Sequence, residues 1–278
     1  MAGSDPHGRR TLRQPVTTLL DTPHGVKLEC LVTGSGDPVT VFAHGLGNGI
    51  AETRPLGSAV AGRRVFFQFR GHGRSDAPPG PWTYADLARD LRSIADLTDA
   101  TRAVGVSLGA GALCRLLAND PTRFTRMVIF LPAVLDVPRA APARRRLAAL
   151  WSAIESRDPA SVAGVIADQV PSDLRDSASA TSFIRQRVDQ LLRDGLGAGL
   201  AGLPDQVPVE DRKLLTKVAA DALVIGCRGD DLHPSAVAED IAHVLPHATL
   251  HVYDEPAVLW TRRADLRDRV AGFLNTPD

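Results

Sequence analysis

A short segment around residue 107 restricts the fold of this chain more than any other part of the sequence. The apolar run at 103–106 predicts a strand that ends in a Gly-x-Ser-x-Gly pattern at 105–109, and a helical pattern follows at 112–117. A serine on such a sharp strand-to-helix turn needs small residues two positions away on either side, because larger side chains would collide there. Ser107 is therefore the candidate nucleophile.

The same segment places Ser107 at the N-terminus of the predicted helix. The free backbone N–H of Leu108 and the positive end of the helix dipole can stabilise negative charge on a carbonyl oxygen under attack. The pattern alone is a weak signal, since a chain of this length contains Gly-x-Ser-x-Gly by chance about one time in ten. The surrounding elements must therefore support the hypothesis.

Strand-like and helix-like segments alternate through much of the chain. Two short β-like runs on either side of the turn at 21–25 predict an antiparallel hairpin at a sheet edge. Val39–Ala43 is a continuous apolar run, typical of a strand buried on both faces of a parallel sheet. Further strands are predicted at 64–69, 101–106, 126–131, 222–227 and 248–253, and helices at 83–97, 235–245 and 261–274. The alternation predicts an α/β fold.

This alternation stops between residues 132 and 215. Helical patterns at 143–156, 158–170 and 179–193 replace it, and the second of them opens on an Asp-Pro pair that suits an N-cap and a first-turn proline. The glycine-rich stretch 195–199 predicts a flexible connection. We interpret residues 132–215 as a helical cap inserted between two parts of an α/β core, residues 1–131 and 216–278.

Two more loops follow predicted strands. His44-Gly45-Leu46-Gly47-Asn48-Gly49 follows the first apolar strand, and Arg70-Gly71-His72-Gly73-Arg74-Ser75 follows the next one. Glycines let the backbone approach a ligand closely, and loops at the carboxyl edge of the sheet bind ligands in α/β proteins. With the segment 105–109 and an acidic residue after a late strand, these loops resemble those of the α/β-hydrolase superfamily, over about residues 16–275.

The resemblance implies a mostly parallel eight-stranded sheet with helices on both faces and a helical cap. In that superfamily the oxyanion hole is formed by the N–H groups of the residue after His-Gly and of the residue after the nucleophile, which implies Leu46 and Leu108. The triad acid stands four residues before a proline in the loop after strand seven. This position implies Asp230, with Asp231 as the adjacent alternative.

The general base departs from the superfamily pattern. The resemblance implies a histidine after the last strand, yet residues 254–260 contain none, and Ala257-Val258 stands where Gly-His is expected. His44 and His72 belong to motifs that are structural in the superfamily, and His251 lies inside a predicted strand. A serine without a base is a poor nucleophile, because its hydroxyl must lose a proton as it attacks.

His233 is the remaining candidate for the base. It lies in a loop expected at the carboxyl edge of the sheet, three residues after Asp230. The ordinary pKa of an imidazole, about 6.5, suits a general base. Two alternatives stay open. The short Asp-x-x-His spacing can aim the two side chains apart and leave His233 a structural role at a helix start, or the site has no base at all.

The sequence therefore predicts two classes of function. The first is a hydrolase of a small apolar ester or thioester, in which Ser107 attacks, the two leucine N–H groups bind the oxyanion, and Asp230 orients a histidine from a non-standard position. The second is a non-hydrolytic enzyme (a lyase, cyclase or isomerase) or a ligand-binding protein that uses the same pocket, and the missing histidine motivates it. Neither class calls for a cofactor or a metal ion.

Charge and cysteine content restrict the partners. Lys+Arg and Asp+Glu are 32 each, so no net field attracts nucleic acid or an anionic membrane, and we expect a small-molecule substrate. The absence of a long apolar segment and of an N-terminal signal pattern in the sequence predicts a cytoplasmic location. Cys30, Cys114 and Cys227 lie far apart among apolar neighbours, which is typical of buried side chains. Substrate identity and oligomeric state stay open.

Overall fold

The apolar runs of the sequence form the central strands of an eight-stranded sheet. A computed structural model describes residues 16–193 and 196–277; the predicted polar tail and Gly195 lie outside the described residues. The strands are β1 (Thr18–Asp21), β2 (Lys27–Thr33), β3 (Val39–Ala43), β4 (Arg63–Phe67), β5 (Arg102–Val106), β6 (Arg126–Phe130), β7 (Asp221–Cys227) and β8 (Ala248–Tyr253). All residues of β3, β5 and β6 are buried, as the continuous apolar runs predict.

The strand order is β1-β2-β4-β3-β5-β6-β7-β8. The pairs β1–β2 and β2–β4 are antiparallel, and every other neighbouring pair is parallel. The predicted hairpin is thus confirmed as the sheet edge, and the predicted fold class, a mostly parallel α/β sheet, is confirmed. Because β3, β5 and β7 run in the same direction, the loops that follow them meet at one carboxyl edge of the sheet.

Helices cover both faces of the sheet. The helices outside the segment between β6 and β7 are α1 (Ile50–Leu56), α2 (Tyr84–Leu97), α3 (Leu108–Asn119), α8 (Ser235–Val244), α9 (Val258–Thr261) and α10 (Arg263–Leu274). Alternate strand residues point to opposite layers: Val41 belongs to the core cluster that contains side chains of α2, α3 and α8, and Phe42 belongs to the cluster that contains those of α1 and α10. Helix α2 begins at the predicted N-cap Thr83, which forms a capping box with Asp86.

The segment between β6 and β7 is helical, as its sequence predicts. It contains α4 (Ala141–Ser156), α5 (Pro159–Ala167), α6 (Ala178–Arg193) and α7 (Leu196–Leu200), together with 3₁₀ helices at Ser172–Leu174, Leu203–Asp205 and Arg212–Lys217. We call residues 132–217 the insertion. Asp158 caps α5 through the N–H groups of Ala160 and Ser161. The division of the chain into core and cap domains stays a prediction.

The connection predicted at 195–199 is helical in its described part, and its flexibility stays a prediction. Leu196 and Leu200 belong to α7 and are fully buried. The N–H of Trp82 donates a hydrogen bond to the carbonyl of Gly199 at 2.6 Å, and the Trp82 ring packs where a Cβ on Gly199 would lie. Two buried leucines and the close approach of an indole ring thus hold this glycine-rich segment against the rest of the protein. None of the helices in the described ranges is long and apolar enough to cross a membrane.

Candidate active site

The Gly-x-Ser-x-Gly segment forms the sharp turn between β5 and α3. Ser107 has φ of 50° and ψ of −104°, a conformation that non-glycine residues rarely adopt. A Cβ on Gly105 would lie 2.6 Å from the carbonyl oxygen of Gly109, and a Cβ on Gly109 would overlap the carbonyl of Ala43. Only glycine fits at these two positions. The turn presents the Ser107 hydroxyl at the carboxyl edge of the sheet.

Hydrogen bonds join Ser107, His233 and Asp230, which we call the site cluster. His233 Nε2 lies 2.9 Å from Ser107 Oγ, and His233 Nδ1 lies 2.9 Å from Asp230 Oδ2. Because the ionised carboxylate only accepts hydrogen bonds, Nδ1 carries the proton of the neutral imidazole and Nε2 accepts from the serine hydroxyl. Of the two orientations that the Asp-x-x-His spacing left open, the structure has the one in which the side chains meet. Asp231 is exposed.

The loop that carries Asp230 stabilises its ionised form. The N–H groups of Leu232 and His233 donate to Asp230 Oδ1 at 2.9 and 3.2 Å. Burial alone would raise the pKa of this carboxyl, but the hydrogen bond and charge of His233 and these two N–H groups outweigh it and lower the pKa to about 2. At neutral pH Asp230 is therefore an anion that can orient the imidazole and stabilise its protonated form.

Two backbone N–H groups near Ser107 are free to bind a ligand. Leu108 is the first residue of α3, where an N–H has no acceptor in a preceding turn, and Leu46 lies in the loop after β3. Both residues line the same cavity as Ser107. Within the described part of the chain, neither N–H donates to a protein group. The N–H of Gly109 donates to the carbonyl of His44 at 3.1 Å and so ties the two loops together.

His44 and His72 form hydrogen bonds with backbone groups in and beside the loop after β3. His44 Nε2 accepts a hydrogen bond from the N–H of Phe69 at 3.0 Å, and its Nδ1 donates to the carbonyl of Gly45 at 2.7 Å. His72 Nε2 accepts from the N–H of Gly47 at 3.1 Å. Both rings are completely buried, and this burial lowers the pKa of His44 well below its ordinary value and that of His72 to about 4. Both are neutral at physiological pH and hold backbone rather than substrate.

The site cluster opens into a cavity of about 1160 Å³ that lies between the sheet edge and the insertion. Its apolar lining includes Leu131, Leu147, Leu150, Leu203 and Leu232. Polar and charged side chains of α4, α6 and α10 line it as well. A concave site that combines apolar surface with polar groups is typical of small-molecule binding. Among residues 16–193 and 196–277, no group of three or more His, Cys, Asp or Glu side chains is arranged to hold a metal ion.

The position where the resemblance implies a histidine also lies on this cavity. Ala257 adopts a left-handed conformation with φ of 60° and precedes α9, and Val258 is buried. Both residues line the cavity. His251 lies within β8, where its ring packs edge-on against Tyr253, and it is not part of the cavity lining. The imidazole beside Ser107 therefore comes from the loop after β7 instead of the loop after β8.

The sequence analysis missed polar residues that surround the loop after β3. Glu52 of α1 lines the cavity and accepts a hydrogen bond from the N–H of Gly45 at 2.8 Å. From the insertion, Gln190 Nε2 donates to the carbonyl of Asn48 at 2.7 Å, and Arg187 lies against the carbonyl of Leu46 at 3.5 Å. These contacts join residues far apart in sequence, so no local pattern identifies them.

Comparisons with known proteins identify the family of the chain. A family model described as "Alpha/beta hydrolase family" matches residues 40–265. A protein of Caulobacter segnis named "Putative carbamate hydrolase RutD" is 34% identical over 101 residues, which are 34% of this chain and 38% of that protein. The chain thus matches well under half the length of this curated relative.

Solved structures resemble the chain over nearly its whole length. A hydrolase from Pseudomonas aeruginosa PA01 superimposes with a TM-score of 0.77 at 23% identity, covering 94% of this chain and 98% of that one. An esterase from Exiguobacterium antarcticum gives a TM-score of 0.75 at 19% identity, covering 94% of this chain and 100% of that one. At such identities the likeness shows a shared fold.

Proposed function

Since the chain belongs to the alpha/beta hydrolase family, we propose that it is a serine hydrolase of small apolar esters or thioesters, with Ser107 as nucleophile, His233 as general base and Asp230 as the triad acid. The observation that carries the proposal is the unbroken hydrogen-bonded path from Ser107 Oγ through both nitrogens of His233 to Asp230 Oδ2, with 2.9 Å at each step. A nucleophile, a base in contact with it and a group that orients the base are what acyl transfer needs.

The proposed reaction proceeds through an acyl-enzyme. Ser107 Oγ attacks the carbonyl carbon while His233 Nε2 takes its proton, and the N–H groups of Leu46 and Leu108 bind the resulting oxyanion. His233 then gives the proton to the leaving alkoxide or thiolate, and the C–O or C–S bond breaks. Water attacks the acyl-enzyme with His233 again as base, which releases the acid and restores the serine.

The cavity supports the substrate class. Leucine side chains of the insertion and of the sheet edge line the same cavity as Ser107, so an apolar acyl or alcohol part gains free energy on burial, about 25 cal/mol per Å². We propose that the insertion acts as a cap that encloses the substrate. The lack of a histidine after β8 motivated the non-hydrolytic alternative, and His233 now offers a base for hydrolysis.

Covalent labelling tests the proposal. A fluorophosphonate probe reacts with an activated serine, so we expect peptide mapping to locate the adduct on Ser107 and Ser107→Ala to remain unlabelled. His233→Gln removes the base, and we expect labelling at least about a hundredfold slower. Asp231→Asn changes the exposed neighbour of the proposed triad acid and is the matched control. We expect it to be labelled at the parental rate.

Two outcomes would contradict the assignment. Labelling of the parent at a residue other than Ser107 would exclude it as the nucleophile. A parental labelling rate in a folded His233→Gln variant would exclude His233 as the base and return the non-hydrolytic alternative to first place.

A further inference from the structure

Glu52 is a carboxylate in the cavity wall that the proposed mechanism does not use. Its Oε2 accepts a hydrogen bond from the N–H of Gly45 at 2.8 Å, and its Oε1 accepts from the side-chain amide of Asn48 at 2.5 Å. A Cβ on Gly45 would lie 3.3 Å from Oε2, so the carboxylate packs directly against the loop backbone. One side chain thus holds the residues on both sides of Leu46, the proposed oxyanion-hole residue.

The groups that act electrostatically on Glu52 come from two other elements, Arg187 of α6 and His233 of the loop after β7. Burial raises the pKa of Glu52 above its ordinary value, although the N–H of Gly45, these two groups and the amide of Asn48 oppose the rise. Arg263 and Arg267 of α10 line the same cavity. The hydrogen bonds that oppose the rise both come from the loop after β3.

We propose that Glu52 is a positioning residue of this active site. Its carboxylate holds the Gly45–Asn48 loop so that the N–H of Leu46 faces the cavity, where it can bind the oxyanion. A donor already held in position stabilises a developing oxyanion without reorganisation at the moment of reaction. The inference rests on the proposed function.

Two substitutions test the positioning role. Glu52→Gln keeps the shape but removes the charge and sets one amide N–H₂ group against that of Asn48. Because hydrogen bonds to a charged group are lost, we expect kcat to fall about tenfold, with KM within about twofold of the parent because substrate binding is untouched. Glu52→Asp keeps the charge but withdraws the carboxylate by one methylene, and kcat should again fall about tenfold.

The two kinetic constants distinguish positioning of the oxyanion hole from an effect on substrate binding. Positioning predicts a loss in kcat with KM near the parental value, whereas weaker substrate binding would raise KM instead. Glu239→Gln, the same change at an exposed position on α8, should match the parent in every measurement.

Turnover of a short acyl ester provides the readout, and circular dichroism verifies the fold of each variant. A kcat within twofold of the parent in both variants overturns the proposal, and so does a loss that appears only in KM. If Glu52→Gln does not fold, Glu52→Asp still tests the positioning role through kcat. Parental turnover in Ser107→Ala would instead refute the proposed function itself.

Discussion

The described part of the chain contains two hydrogen-bonded Ser-His-Asp groups, and their surroundings differ. The second, which we call the brace cluster, consists of Ser93, His24 and Asp90. Ser93 Oγ lies 3.2 Å from His24 Nδ1, and His24 Nε2 lies 2.9 Å from Asp90 Oδ1. These distances are close to those of the site cluster, yet the brace cluster ties the β1–β2 turn to helix α2.

Four physical differences separate the clusters. Ser93 lies within α2 and does not line the cavity, whereas Ser107 stands on a strained turn beside free N–H groups. Asp90 is fully buried and also accepts two hydrogen bonds from the Arg70 guanidinium at 2.9 and 2.7 Å. A carboxylate already neutralised by arginine stabilises an imidazolium less well. Hydrogen-bond distances alone therefore do not distinguish the two serines; the proposed role of Ser107 rests on backbone strain, free N–H donors and access to a cavity.

The largest expected contrast is in turnover. Ser107→Ala removes the proposed nucleophile, and we expect kcat for hydrolysis of a short acyl ester to fall at least about a thousandfold. The remaining N–H groups should support a low residual activity. Ser93→Ala removes the corresponding hydroxyl of the brace cluster and should leave kcat within about twofold of the parent. Steady-state kinetics of the two purified variants measure both values. A similar loss in both would show that the clusters are not functionally distinct.

For stability we expect the larger effect in the brace cluster, not in the site cluster. Asp90→Asn leaves the buried Arg70 guanidinium with Asp86, 3.4 Å away, as its acidic partner. Removal of one member of a buried ion pair typically costs 3–5 kcal/mol, so we expect the free energy of unfolding to fall by about 3 kcal/mol. Asp230→Asn should cost less, about 2 kcal/mol, because its partner His233 can remain neutral. Urea unfolding at pH 7 measures both, and a larger loss for Asp230→Asn would contradict this ranking.

The sequence predicts the strands better than it predicts either cluster. The bounds of β3 and β8 coincide with the observed ones, since continuous apolar runs and turn residues define them locally. The glycines around Ser107 likewise identify the turn, because the steric demand is local. Such features depend on neighbours in sequence, so a single sequence contains the information needed to predict them.

The remaining parts of the site depend on distant contacts. His24 and Asp90 are 66 residues apart, and His233 and Ser107 are 126 residues apart. The direction of the His233 side chain follows from the N–H groups that turn the loop around Asp230, which residue spacing alone does not determine. Glu52 contacts the loop after β3 through its position on α1, and nothing in its sequence context marks it. Tertiary packing decides these features.

The smallest expected effect is a pH dependence of stability. The pKa of Asp230 is lowered from 3.8 to about 2 in the folded protein, so its ionised form contributes stability that is complete above the unfolded pKa and is lost as the pH falls towards 2. Asp230→Asn lacks this contribution. We therefore expect the difference in unfolding free energy between the parent and Asp230→Asn to shrink by about 1 kcal/mol from pH 5 to pH 3. Ser93→Ala removes no carboxylate, so its difference from the parent should stay constant, and a constant difference for Asp230→Asn would contradict the lowered pKa and the charge assigned to the site cluster.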